Sequence, residues 1–204
     1  MNILPELVKG HLYLLLLPRS LRRSTLNELT ARLALRGEVQ VLVAGNRFDA
    51  HGIARLIRRQ TNVVDPALRR IHLARAFTCY QVAVLINEVA VAQLPTLVTD
   101  LLDTFYDENV ALEERRTLLQ QCLEGLRRLS HQTEVLISVV PPAAPGVCGA
   151  NDPINPFTWV ERRVAQCPEP AEARMELFEM LRAVADTVWS IELPNPARAQ
   201  LSLF

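Results

Sequence analysis

An α/β fold on a mainly parallel central sheet flanked by helices is what this sequence predicts, and three observations predict it. Short apolar runs that read as strands alternate with longer amphipathic runs that read as helices along most of the 204 residues. The strand runs, His11–Leu17 and Glu134–Val140 among them, are apolar without polar alternation, the mark of strands covered on both faces. The runs between them are long enough to serve as crossovers between parallel neighbours.

The elements follow in order. His11–Leu17 reads as the first buried strand. Pro18–Ser24 reads as a short polar turn, and Thr25–Arg36 as a helix closed by Gly37. Val39–Ala44 is β-branched and apolar and ends at Gly45-Asn46, a strand leaving into a turn. His51–Arg59 carries Ile53, Leu56 and Ile57 on one helical face and Arg55, Arg58 and Arg59 on the other. Ile71–Ala76 reads as a strand entered after Pro66, and Tyr80–Val91 is apolar at helical spacing. Thr96–Asp100, introduced by Pro95, reads as a short buried strand ending in a carboxylate. Glu113–Ser130 has the clearest stripe in the chain, formed by Leu118, Leu119, Cys122, Leu123, Leu126 and Leu129. After the strand at Glu134–Val140 comes a loop rich in Pro, Gly, Ala and Asn, from Pro141 to about Pro170, with a short helix expected at Phe157–Ala165. A helix at Ala171–Ala183 and a strand at Thr187–Leu193 complete the pattern. The expected organisation is one core domain over residues 1–193 and a loosely ordered tail over 194–204.

Composition narrows the function classes. Acidic and basic residues balance at 22 each, so no global field attracts nucleic acid or an anionic membrane. The apolar run at Leu12–Leu17 is far shorter than the roughly 20 residues that span a bilayer, and no signal-peptide cleavage pattern follows it. Cys79, Cys122, Cys148 and Cys167 lack CxxC spacing, so reduced thiols and a cytoplasmic setting are expected. His11, His51, His72 and His131 are scattered, with no pair at metal spacing, and no metal site is expected.

Strand, turn and helix over residues 11–36 reproduce the frame of a P-loop. A working P-loop needs glycines, so that backbone N–H groups can wrap phosphate, and a lysine to reach it. Here no glycine falls between Gly10 and Gly37, and the only lysine is Lys9, ahead of the strand.

This order of elements and its local words resemble the core domain of the RecA/RadA family of recombinases. The resemblance spans about Val8 to Leu193 and implies a RecA-like P-loop NTPase fold. Leu17-Pro-Arg-Ser-Leu-Arg-Arg-Ser24 lies over the family's Walker A motif, so Leu17 and Arg22 stand at its glycines, Arg23 at its lysine and Ser24 at its Mg²⁺-binding hydroxyl. Ile71–Thr78 followed by Tyr80-Gln81 is the most specific match, similar to a strand-and-turn signature of the archaeal and eukaryotic branch. Leu97–Asp100 sits at the Walker B position. Asp103–Tyr106 and Glu113–Arg116 resemble the segment leading through the first DNA-binding loop, and Pro141–Pro170 stands where the second lies.

The departures shape the expected function. The family's catalytic glutamate falls at Gly45 or Asn46, and its polar sensor near Ser138–Pro141. The resemblance therefore implies a non-catalytic paralogue with no cofactor, assisting DNA repair or recombination through a recombinase or other repair protein and through single-stranded DNA. The vestigial nucleotide position comprises Arg23, Ser24 and Asp100; the candidate DNA contacts are Arg115, Arg116, Arg162 and Arg163. Phe157 and Trp159 stack on bases, dock a partner or sit in the core. The alternatives are an ATPase that binds ATP and Mg²⁺ through an arginine-substituted P-loop, and a regulatory scaffold unrelated to DNA. On the residues alone, Arg58-Arg59, Arg69-Arg70, Arg127-Arg128 and Arg162-Arg163 read as polar helix faces.

Overall fold

A computed structural model describes residues 7–45, 47–90, 93–142 and 171–191. The expected Phe157–Ala165 helix, Trp159, Arg162, Arg163 and the tail lie outside the described residues, as do all but the first two residues of the Pro141–Pro170 loop.

Among the described residues, six parallel strands form one sheet in the order β3–β2–β4–β5–β1–β6. They are β1 (Leu12–Leu16), β2 (Val39–Val43), β3 (Ile71–Arg75), β4 (Thr96–Thr99), β5 (Val135–Val139) and β6 (Thr187–Ser190). Helices α1 (Arg19–Arg36), α2 (Ala50–Arg58) and α3 (Val64–Arg69) pack together, and α4 (Cys79–Val84), α5 (Leu112–Ser130) and α6 (Ala171–Val184) pack together. The expected α/β class, with helices flanking a parallel sheet, is what the chain adopts. The first strand and the Leu97–Asp100 strand lie in the same sheet with β5 between them. This differs from the dinucleotide-binding order, in which β1 neighbours β2.

Strand periodicity divides the core into two layers. Leu12 and Leu14 of β1, Val98 of β4, and Val135, Ile137 and Val139 of β5 are buried against α4, α5 and α6. Tyr13 and Leu15, one residue out of phase, pack with Leu26 and Leu29 of α1 and Leu97 of β4. Val39, Val41 and Val43 of β2 meet Ala31 and Ala34 of α1 and Ile53 and Ile57 of α2. Each leucine or isoleucine so buried contributes about 1.5–3 kcal/mol relative to exposure. The α5 stripe is as expected, with Leu119, Cys122, Leu123, Leu126 and Leu129 buried and Leu118 packed at the margin.

Three elements depart from the sequence reading. The polar turn expected over Pro18–Ser24 is instead the first part of α1, which begins at Arg19 directly after Pro18. Proline fits a helix start because its missing N–H would have had no partner there. Arg19 to Ser24 includes no glycine and no β-branched residue, so nothing interrupts the helix. The second departure is α3, a helix where the sequence suggests only the approach to β3 after Pro66. Pro66 is the third residue of α3, inside the first turn, where a helix tolerates the lost donor.

The Tyr80–Val91 helix is shorter and irregular. α4 ends at Val84 and continues as a π-helical turn, Leu85–Val89. Asn87 donates from Nδ2 to the Ala83 carbonyl at 2.9 Å and accepts from Arg128 Nη2 of α5 at 3.1 Å. Gly125 allows this approach, since a Cβ there would lie 2.4 Å from Asn87 Oδ1.

Candidate functional site

Ligands of parallel α/β sheets bind outside the carboxyl ends of the strands, where neighbouring connections depart to opposite faces. Here α1 leaves β1 on one face, and α6, on the other face, leads into β6. The carboxyl ends of β1, β5 and β4 therefore define the crevice. Asp100 stands in it, immediately after β4, with only 1% of its surface exposed.

Asp100 adopts a left-handed backbone conformation, φ 57°, the sole non-glycine among the described residues to do so. Such a conformation is strained for a residue with a Cβ, and aspartate tolerates it better than most. The turn is fixed from beneath, because the Asp100 backbone N–H donates to Ser138 Oγ of β5 at 3.2 Å. Neither carboxylate oxygen accepts a hydrogen bond. The nearest cation is Arg22 of α1, whose Nη1 lies 3.3 Å from Asp100 Oδ1 and 3.4 Å from Asp103 Oδ2. Arg22 is itself 7% exposed.

Burial, with the neighbouring charge of Asp103 adding to it, raises the Asp100 carboxyl to a pKa of about 6. The charges of Arg22 and Arg47 pull it back only in part. A buried ion pair without hydrogen-bond geometry does not recover the desolvation of its members. Thr99 Oγ1 and Thr104 Oγ1 flank the site and are also buried without hydrogen-bond partners. The turn after β2 closes it, since a Cβ on Gly45 would lie 3.2 Å from Asp103 Oδ2 and 3.3 Å from Asp100 Cβ.

The other residues of the vestigial nucleotide position do not reach this crevice. Arg23 is exposed and donates from Nε to Asp49 Oδ2 at 2.8 Å. Ser24 donates from Oγ to the Leu21 carbonyl at 2.9 Å, within its own helix. The structure thus brings Asp100 together with Arg22, not with Arg23 and Ser24. The signal for Arg22 was present but hidden by the assumed turn. Once the helix starts at Arg19, Arg22, Leu26 and Leu29 fall at i, i+4 and i+7 on one buried stripe.

Asp49 forms a second polar junction on the α1–α2 side. It caps α2 by accepting the Gly52 N–H at 2.9 Å and also accepts Asn27 Nδ2 at 2.9 Å. The Arg23 hydrogen bond, then those of Gly52 and Asn27, hold its carboxyl well below the usual carboxylate range. A Cβ on Gly52 would lie 2.3 Å from both Asn27 Nδ2 and Asp49 Oδ2. Gly52→Ala is therefore expected to lower stability by about 1–3 kcal/mol through loss of this cap and its bonds. Chemical denaturation checks it, and an unchanged midpoint would contradict the packing.

Of the candidate DNA contacts, Arg115 is buried, and its Nη1 donates to the Phe105 carbonyl at 3.1 Å, so it is not a surface cation. Arg116 is paired with Glu113 of α5 and Glu176 of α6. Arg162 and Arg163 lie outside the described residues. Cys79 and Cys122 are buried and not disulfide-bonded, and burial pushes the Cys122 thiol up to about 12. Among the described residues no group of three or more His, Cys, Asp or Glu is placed to hold a metal ion. No helix among them is long and apolar enough to cross a membrane.

A second feature lies at the sheet edge. β3 pairs only with β2, leaving its other edge open among the described residues. Phe77, just after β3, and Tyr80 and Val84 of α4 are exposed at 58%, 44% and 48%, with the Tyr80 side chain hydrogen-bonded to Glu114 of α5. Tyr80 and Val84, at i and i+4, lie one above the other on α4, and Phe77 immediately precedes the Thr78 cap. An open strand edge and exposed apolar side chains, Leu73 of β3 among them, are features that natural proteins otherwise blunt.

Compared with known proteins, the chain matches no protein-family model and no curated sequence.

Proposed function

We propose that this chain is a non-catalytic, RecA-like paralogue that works in the cytoplasm as a partner subunit in DNA repair or recombination. The observation that carries the reading is Arg22. Its guanidinium lies against Asp100 and Asp103 at the carboxyl ends of the strands, where the resemblance would place phosphate and its metal ion. Only Leu17 and Pro18 separate β1 from α1, too few to wrap a phosphate with backbone N–H groups. The assignment to repair comes from the family resemblance and not from the geometry.

The open β3 edge with Phe77 and Tyr80 supports the partner role, since an extended segment can add to such an edge while apolar side chains give it specificity. Two measurements test the reading. Titration with a fluorescent ATP analogue and Mg²⁺ is expected to show no saturable binding below a millimolar. Submillimolar binding abolished by Asp100→Ala would instead establish the divergent ATPase. Copurification with a recombinase, lost in Phe77→Glu/Tyr80→Glu, is the expected positive result, whereas a deletion strain indifferent to DNA damage would refute the repair assignment.

A further inference from the structure

The zero net charge conceals a local imbalance. Residues 50–75 hold six arginines, counting Arg75 at the carboxyl end of β3, against a single acid, Asp65. The other five are exposed, as is Arg36 at the end of α1. Topology brings these six together. α1 and α2 run side by side, with Asp49 beside Arg23 and Asn27. Nine residues further along each helix, about 13 Å at the helical rise, come Arg36 of α1 and Arg58 of α2. α3 ends at the same edge, because the Arg70 carbonyl accepts the Val39 N–H at the start of β2. Arg70 Nη1 also lies 3.4 Å from the Ala34 carbonyl of α1, tying the end of α3 to that of α1.

What marks this cluster is its number of arginines with little counter-charge: the one carboxylate beside Arg36, Glu38, lies 3.6 Å from His72 Nε2 and pairs with none of them. Several arginines elsewhere are held by carboxylates, Arg23 by Asp49, Arg116 by Glu113 and Glu176, Arg127 by Asp186 and Arg174 by Glu108, although Arg19, Arg75 and Arg128 form no ion pair among the described residues. Among the described residues none of Arg36, Arg55, Arg58, Arg59, Arg69 and Arg70 forms an ion pair, and Asp65 forms none with them. A cation near a helix C-terminus is stabilised by the helix dipole, which accounts for Arg36, Arg58 and Arg69 singly. It does not account for Arg55, which shares a face of α2 with Arg58 and Arg59 at i+3 and i+4. Like charges at those spacings destabilise a helix by a few tenths of a kcal/mol per pair.

We propose that this arginine cluster, at the ends of α1, α2 and α3, is a docking surface for the phosphate backbone of nucleic acid. Guanidinium groups bind phosphate bidentately, and unpaired ones do so without first giving up an internal carboxylate. The contact is to backbone and carries no sequence preference. It lies at the opposite end of the strands from the Asp100 crevice, and it stands whether or not the partner-subunit reading holds.

Fluorescence anisotropy with labelled single-stranded and duplex oligonucleotides at low salt tests it. If three or four phosphates are neutralised, the log–log salt slope is about −2 to −4. Arg55→Gln/Arg58→Gln/Arg59→Gln is expected to weaken binding at least tenfold and to make the slope shallower by about 2. Its urea midpoint should equal or exceed that of the parent, because a like-charge cluster has been relieved. Arg182→Gln on α6 should bind as the parent does. Phe77→Glu/Tyr80→Glu should keep nucleic-acid affinity, which separates this surface from the partner edge. The proposal is overturned if the parent binds no nucleic acid at low salt, or if the triple variant binds as tightly as the parent. It is equally overturned if the cluster instead proves to hold vesicles containing phosphatidylserine in preference to nucleic acid.

Discussion

Replacing Arg22 with methionine is expected to destabilise the protein by about 3 kcal/mol at pH 8. The substitution keeps most of the side-chain length and leaves Asp100, 1% exposed, without its nearest cation. Breaking a buried pair by removing one partner costs about 3–5 kcal/mol, because the remaining charge stays desolvated and uncompensated. The lower end applies here, since Asp100 can take up a proton and Asp103 is itself partly exposed. Urea denaturation reads the effect as a shift in midpoint at constant slope. Arg22→Met/Asp100→Asn is expected to recover part of the loss, with a coupling energy of about 1–3 kcal/mol in the double-mutant cycle. Strict additivity of the two single changes would show that the residues do not act on one another, and the filled-crevice description would fall.

Strands were legible because their signal is local. Leu12 to Leu16 is an unbroken apolar run, and Val39 to Val43 and Val135 to Val139 are each broken by one buried polar residue only, Gln40 and Ser138, as sheet burial on both faces demands. α5 was legible because nineteen residues give several turns over which a stripe can repeat. α1 was read short because the P-loop frame imposed a turn on Pro18–Ser24, although the residues themselves favour helix. The crevice was half legible. Asp100 follows from its place at the end of a central strand, but its partnership with Arg22 joins residues 78 positions apart and depends on where α1 begins. Asp49 was missed for a similar reason, since its cap is local but its bonds to Arg23 and Asn27 come from a different helix. The arginine cluster was visible as separate pairs. Its meaning depends on which arginines have carboxylate neighbours, and sequence does not carry that.

The crevice also explains how a strained, incompletely satisfied site persists in the fold. Asp100 is held by the sheet below, through Ser138, and by close approach of Gly45, two residues beyond β2. Desolvation of its carboxyl and the left-handed backbone both work against folding, and the packed layers around β1, β4 and β5 outweigh them. Arg22 lowers the cost without cancelling it, which is why the carboxyl remains raised.

Stability is accordingly expected to fall as pH rises from about 4 to about 6. An unfolded aspartate has a pKa near 3.9, whereas the folded Asp100 titrates at about 6. Between these values the folded state holds a proton that the unfolded state has released, so the stabilising contribution of the neutral form is complete below about 4 and lost above about 6. At about 1.4 kcal/mol per pH unit the loss approaches 3 kcal/mol. Asp49 and Asp186 act in the opposite sense. Their carboxyls are lowered, chiefly by hydrogen bonds from Arg23 and Arg127 respectively, so their contributions are present above the unfolded value and are lost on further acidification. The two effects occupy different windows, which lets the Asp100 contribution be read between pH 4.5 and 7.5. Asp100→Asn, uncharged and nearly the same shape, should flatten the profile across that range and exceed the parent in stability at pH 7.5. Urea midpoints at five or six pH values decide it: parallel profiles for parent and Asp100→Asn would mean that the buried carboxyl does not titrate there.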